Sequence, residues 1–333
     1  MAKHQICVLR GDGIGPEVTT EALKVLDALG HELTYVEGDI GFGAYERLGT
    51  PLPDETLAKV RAADATLFGA VTTPPDIKGY ASPILRLRQE LELYANLRPC
   101  ISLPHPSSRA GVDLLTVREN TECLYVRRER VEQGGDVAIS ERVITRAASE
   151  RIVRYACELA RARPRKKVTL VHKANVLRET CGLFRRVGLE VAAGFPDLEV
   201  EEMLVDACAM ELIRRPERFD VIVTTNLFGD ILSDEASMLV GGLGLACSAN
   251  IGRDAAVFEP VHGSAPDIAG RAKANPLAAI LSAALLVEHL GLGADAARIR
   301  AAVREALEAN HTTPDLGGTL TTSEAGQAVV AAL

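Results

Sequence analysis

Asn226-Leu227-Phe228-Gly229-Asp230-Ile231-Leu232-Ser233-Asp234-Glu235, preceded by Phe219-Asp220-Val221-Ile222-Val223-Thr224-Thr225, decides how the chain is read. The β-branched run 219–225, bounded by Pro216 and Gly229, has the composition of a buried strand. The segment after it has helical spacing, with Ile231, Leu232, Ala236 and Leu239 able to face inward. Asp230 and Asp234 then stand at i and i+4 on one helical face, with Cβ atoms roughly 6 Å apart. Two readings compete for this pair. Both carboxylates can sit in water and complement the positive helix N-terminus. Alternatively they bind a metal ion, because the junction of strand and helix is where open α/β sheets take ligands. Oxygen donors with no His or Cys nearby suit Mg2+ or Mn2+ rather than zinc. The junction favours the second reading.

Outward from this stretch the same alternation continues. Residues 5–9, 32–36, 66–69, 114–117, 168–171 and 200–205 read as strands; 21–29, 54–62, 145–162 and 276–290 read as helices. That order predicts an α/β fold with a mainly parallel, twisted sheet and helices on its faces. Residues 83–97 read as one more helix with a Leu87, Leu91, Tyr94 stripe, stopped by Pro99. The charged segment 127–142, containing Gly134-Gly135, reads as an exposed hairpin or arm. Gly11-Asp12-Gly13-Ile14-Gly15-Pro16-Glu17 follows the first strand and invites a Rossmann reading. The fingerprint G-x-G-x-x-G fails at Pro16, which with Glu17 is a helix start instead.

Candidate chemistry gathers at element ends. Arg88, Arg98 and Arg118 are singly ordinary surface or salt-bridged residues, but together they can grip two or more carboxylates through guanidinium forks. Lys173 ends the strand at 168–171, and Asp206 is a third carboxylate at a strand terminus. Residues 258–270 are rich in Gly, Pro and small side chains ahead of a nearly all-apolar helix, which permits close approach by a flat ligand. Asp267 in that loop would accept hydrogen bonds from a ribose diol and repel a ribose phosphate.

Bulk properties set bounds. The chain has 333 residues and a net charge of −8, which argues against nucleic acid as main partner while local arginines still admit an anionic substrate. Its seven cysteines are scattered with no C-x-x-C, suggesting neither a disulfide framework nor a zinc ribbon. The N-terminus shows no signal-peptide apolar region, and the longest apolar stretch, 276–287, is too short to span a bilayer. A soluble, reduced, cytoplasmic protein with no membrane partner is expected.

Six motifs then fall in register between Gly11 and Pro276: G-D-G-I-G-P-E, L-R-x-x-x-x-L-Y-A-N-x-R-P, R-E-N-T-E-x-L-Y, H-K-A-N-V, N-L-F-G-D-I-L-S-D and E-P-V-H-G-S-A-P-D-I-A-G-x-x-x-A-N-P. Together they resemble the β-decarboxylating dehydrogenases, the family of isocitrate, 3-isopropylmalate, homoisocitrate and tartrate dehydrogenases. The resemblance implies an isopropylmalate-dehydrogenase-like fold, two open α/β domains sharing a large mixed sheet, and not a Rossmann fold. It implies a discontinuous cofactor-side domain (1–98 with 253–333) around an inserted dimerisation and metal/substrate domain (99–252). Asp206, Asp230 and Asp234 match the family's ligands for Mg2+ or Mn2+, Asp206 coming from the neighbouring subunit. Arg88, Arg98 and Arg118 match the substrate arginines. Lys173, also donated across the dimer, matches the group that assists deprotonation of the hydroxyl, and Tyr125 matches the acid that protonates the enol carbon. Ile14, Ala70, Thr72 and Asn175 match contacts near the nicotinamide half of the cofactor, with Thr72 and Asn175 also beside the substrate. His262, Gly263, Ser264, Ala265, Asp267, Ile268 and Asn275 match the adenosine loop, and the Asp267-Ile268 pair resembles the NAD-using version. A homo-oligomer follows, dimer or tetramer, with shared active sites.

Substrate choice is expected at 82–85, just before Arg88. Ser82-Pro83-Ile84 resembles the homoisocitrate dehydrogenases, which implies oxidative decarboxylation of homoisocitrate to 2-oxoadipate in lysine biosynthesis, with isocitrate as a second substrate. The alternative is 3-isopropylmalate and leucine biosynthesis. A non-catalytic regulatory subunit is the alternative of another class. Leu85 stands where some homoisocitrate enzymes carry Arg, and Arg86 is either its substitute or solvent-facing. Cys123 stands where Gly is usual.

Overall fold

The computed structural model describes residues 3–74, 77 and 80–333. The first elements are β1 (Lys3–Gly11), α1 (Gly15–Ala28), β2 (Glu32–Glu37), α2 (Phe42–Leu48), α3 (Asp54–Ala62), β3 (Ala65–Ala70) and α4 (Pro83–Glu90). There follow β4 (Ala95–Ile101), β5 (Asp113–Glu119), β6 (Glu129–Glu132), β7 (Val137–Ser140), α5 (Arg146–Ala162), β8 (Lys167–His172), α6 (Thr180–Ala192), β9 (Glu199–Leu204) and α7 (Val205–Arg214). The remainder is β10 (Val221–Thr224), α8 (Asn226–Met238), β11 (Cys247–Ile251), β12 (Ala256–Pro260), α9 (Leu277–His289), α10 (Gly293–Glu308) and α11 (Thr322–Ala331).

The chain divides into two compact units. The first comprises Met1–Leu93, Ser102–Ala110 and Val240–Leu333. Its strands run in the order β2-β1-β3-β12-β11, parallel except for the antiparallel β11–β12 pair. Strand β3 is buried at every position, as a parallel strand covered on both faces should be. Helix α9 is apolar on all sides, which suits only a central position: ten of its residues are buried. Leu9, Leu52, Phe68, Leu87 and Leu93 pack into one core cluster.

The second unit comprises Tyr94–Ile101 and Gly111–Leu239. Its strand order is β4-β5-β10-β8-β9, with β4 antiparallel to β5 and the rest parallel. Thr145 caps α5 by accepting from the Ala148 N–H, and the buried face of the helix carries Ile152, Val153, Ala156 and Cys157. Residues 129–140 form the antiparallel hairpin β6–β7.

The α/β fold class stands, and one helix is corrected. The expected helix 83–97 ends at Glu90, the chain turns through Glu92 at φ +46°, and Ala95–Ile101 is strand β4, paired with β5. Leu91 and Leu93 are buried in the first unit's core, so the leucine spacing reported burial and not helical continuation. That pairing places 94–101 with the second unit, and β11–β12 pairing keeps 247–252 in the first. The compact units thus divide at 93/94, 101/102, 110/111 and 239/240, where the resemblance implied divisions at 98/99 and 252/253. Phe258 and Glu259, read as loop, are the end of β12.

Candidate active site

In the second unit the decisive stretch folds as its spacing requires: β10 is wholly buried and α8 starts directly after it. Asp230 is where several donors meet. Its Oδ2 accepts the Tyr125 hydroxyl at 2.5 Å, while Oδ1 accepts from Arg118 and, at 3.3 Å, from Arg98. Arg98 also donates to Asp234 Oδ1 at 2.5 Å and to Ser233 Oγ at 2.8 Å. Strand β4 supplies Arg98 and β5 supplies Arg118; the Arg118 side chain is only 1 % exposed. Its charge is carried inward by the sheet, and the Tyr125 ring lies 5.1 Å from the guanidinium carbon. Three groups read as substrate or proton contacts and two read as metal ligands thus share one cluster.

Lys173 and Asp206 form a separate pair, with Lys173 Nζ donating to Asp206 Oδ1 at 2.6 Å. The ammonium holds the exposed Asp206 carboxyl below the ordinary carboxylate range. Asn175 is exposed just beyond β8. Among the described residues, no three His, Cys, Asp or Glu side chains of a single chain gather as a metal site. Asp230 and Asp234 nevertheless fit a hard divalent cation, since both offer only carboxylate oxygens from one helical face.

The first unit holds the other predicted residues. Thr72 Oγ1 and Ser264 Oγ lie 2.7 Å apart, and the Ile14 N–H donates to the Ser264 carbonyl at 2.9 Å. Asp12, missed by the sequence reading, organises this region: it accepts from the backbone N–H groups of Phe42 (2.7 Å), Gly43 (2.9 Å) and Thr72 (2.9 Å), and its own N–H donates to Ala70 O at 2.7 Å. Its position inside a Gly-rich turn was the available signal. His262 Nδ1 lies against Gly263 O, its Nε2 is buried without a hydrogen-bond partner among the described residues, and burial lowers its pKa. An orphaned nitrogen in a small-residue loop fits a bound dinucleotide. Gly263 and Asp267 are exposed, Ala265 and Ile268 half-buried. The Asn275 amide is already committed, accepting from Leu277 N and donating to Asp315.

Ser82 and Arg88 are buried in the same unit. Arg88 donates to Glu259 Oε1 at 3.1 Å, and Asn250 donates to the same oxygen at 2.7 Å. Glu259, the first residue of the E-P-V-H-G motif, is thus the buried acceptor that fixes Arg88. Arg86 is not solvent-facing alone: it donates to Leu52 O and to Asp54 Oδ1, each at 2.7 Å. Cys123 sits at φ +72°, ψ −139°, fully buried, in a region that a side chain disfavours and glycine does not.

The sequence profile of the isocitrate/isopropylmalate dehydrogenases matches residues 5–329. The chain belongs to this family. It is similar to a Thermus thermophilus isocitrate/homoisocitrate dehydrogenase, 55% identical over 99% of this chain and 98% of that one. It is similar to an Archaeoglobus fulgidus 3-isopropylmalate dehydrogenase, 49% identical over 99% of each. The crystal structure of isocitrate dehydrogenase from Methylococcus capsulatus superposes with a TM-score of 0.95 at 49% identity, covering 99% of both chains. Membership makes the protein a decarboxylating hydroxyacid dehydrogenase of this α/β fold. No helix among the described residues is long and apolar enough to cross a membrane.

Proposed function

We propose that the protein oxidatively decarboxylates homoisocitrate to 2-oxoadipate and CO2, using NAD+ and Mg2+ or Mn2+, and accepts isocitrate as a second substrate. The observation that carries this reading is the meeting of Arg98, Arg118 and Tyr125 at the Asp230 carboxylate. Asp230 and Asp234, with Asp206 of a second copy, would hold the cation. When bound, the cation supplies charge stabilisation for negative oxygen on the substrate, and NAD+ accepts the hydride.

The chain's own groups do the rest. Arg88, Arg98 and Arg118 hold the substrate carboxylates through guanidinium forks. Lys173 assists removal of the hydroxyl proton, which it can accept only as the neutral amine, after its ammonium has given up a proton and left the Asp206 carboxylate that pairs with it beforehand. Tyr125 returns a proton to the carbon that has lost CO2, and Asp230 orients its hydroxyl. The Asp267 carboxylate, exposed in the cofactor loop, favours NAD+ over NADP+ by repelling a ribose phosphate. Second-copy contact is supported by exposed apolar side chains on α7 (Met210, Ile213) and α8 (Ile231, Met238).

A second reading, 3-isopropylmalate, is favoured by one observation. Leu85 is apolar, and Arg86 is held by Leu52 and Asp54, so neither is ready to pair with a distal carboxylate. The test is kcat/KM for homoisocitrate, isocitrate and 3-isopropylmalate, each with NAD+ and NADP+. Highest turnover on homoisocitrate with NAD+ supports the first reading. Preference for 3-isopropylmalate overturns it and leaves the reaction class intact.

A further inference from the structure

Arg118 is the largest fully buried side chain among the described residues, and the groups that hold it include both a charged and a neutral partner. Asp230, its anionic partner, also receives Tyr125 and Arg98. Asn226, the first residue of α8, is neutral. Its Oδ1 accepts Arg118 Nε at 2.9 Å, and its Nδ2 donates to the carbonyl of Glu122 at 3.1 Å. Asn226 is itself 1 % exposed, so both bonds lie out of water, where a mispaired polar group is expensive. Glu122 is anchored in turn: its carboxylate accepts the Thr145 N–H at 3.0 Å and the Thr145 hydroxyl at 2.9 Å, tying it to the cap of α5.

We infer that Asn226 is a positioning residue that orients Arg118 toward substrate carboxylate while registering it against the segment carrying Tyr125. Neutrality is the point of the amide. A carboxylate of the same shape would hold Nε equally well but would offset the guanidinium charge that a substrate anion needs. It would also face the Glu122 carbonyl oxygen with a second oxygen and no proton between them. An amide satisfies both neighbours at once: one acceptor for the arginine, one donor for the loop. Asn226 acts through Arg118 and through the 122–125 turn.

The inference rests on the proposed role of Arg118, so the test separates the two. Binding of racemic malate, a hydroxydicarboxylate probe, is measured calorimetrically with Mg2+ present, alongside NAD+ binding and the melting temperature. Asn226→Asp keeps shape and adds charge; Asn226→Ser stays neutral and shortens the reach. Malate affinity is expected to fall about tenfold or more in Asn226→Asp and by only a few-fold in Asn226→Ser, with NAD+ affinity unchanged in both. In turnover the loss should appear in KM for the hydroxyacid before kcat. Equal weakening in the two variants, no weakening in either, or parallel loss of NAD+ affinity would overturn the inference. If Arg118→Lys leaves malate binding of the wild-type background unchanged, the assigned role of Arg118 fails instead.

Discussion

Cys123 and Glu122 are neighbours just ahead of Tyr125, and each departs from what its residue type prefers. Cys123 holds a positive φ with its side chain buried, a strain of about 1–3 kcal/mol. Replacing it by glycine relieves that strain and forfeits about 1 kcal/mol of buried side chain. Alanine forfeits only the sulfur but keeps the strain, which outweighs the burial its methyl group retains. Cys123→Gly is therefore expected to melt above Cys123→Ala, the reverse of the usual order, and thermal unfolding monitored by circular dichroism checks it. Glu122 is raised from the ordinary value to about 7, first by burial and further by Glu119, with the Thr145 bonds opposing. A raised carboxyl pKa means the folded state binds the proton more tightly than the unfolded chain. Stability contributed by Glu122 is thus complete at acid pH and declines as pH rises from about 4.5 through about 7. Denaturant unfolding of Glu122→Gln should show a smaller decline over this window; an identical profile would remove Glu122 as its source.

Helix α8 is placed by a glycine that ordinary helix preference would replace. A Cβ on Gly229 would lie 2.7 Å from both Cβ and Cγ of Arg118, so the helix can approach β5 only with hydrogen there. In an open helix Gly→Ala stabilises by about 1 kcal/mol. Gly229→Ala is expected to do the opposite, destabilising by about 1–3 kcal/mol from overpacking and raising KM for the hydroxyacid, as denaturation and kinetics would show. This element also shows what the sequence made legible. The β10–α8 junction and the i, i+4 aspartates followed from local periodicity alone. Strand β4 did not: its leucine-rich approach fits helical spacing, and only pairing with β5, a contact between separate segments, makes 95–101 extended. The same limit hid Asp12 and Asn226. Their importance lies in hydrogen bonds to residues 30 to 108 positions away, which no window contains.

At the scale of the whole molecule, the proposal requires a second copy. No single chain gathers three metal-ligating side chains among its described residues, and Asp206 stands apart with Lys173. Chelator treatment is expected to abolish turnover, with recovery on adding Mg2+ or Mn2+. Charge on the α7–α8 apolar face, as in Ile231→Asp, is expected to shift the sedimentation coefficient toward monomer and lower activity together. The most direct measurement is complementation between Asp206→Ala and Asp230→Ala chains, each inactive alone. Co-refolded at equal amounts, a mixed dimer would contain one intact site, built from Asp230 and Asp234 of one chain and Asp206 of the other. Recovery of about a quarter of wild-type activity is expected from random pairing. Activity no higher than the separate variants would contradict a cation site shared between chains.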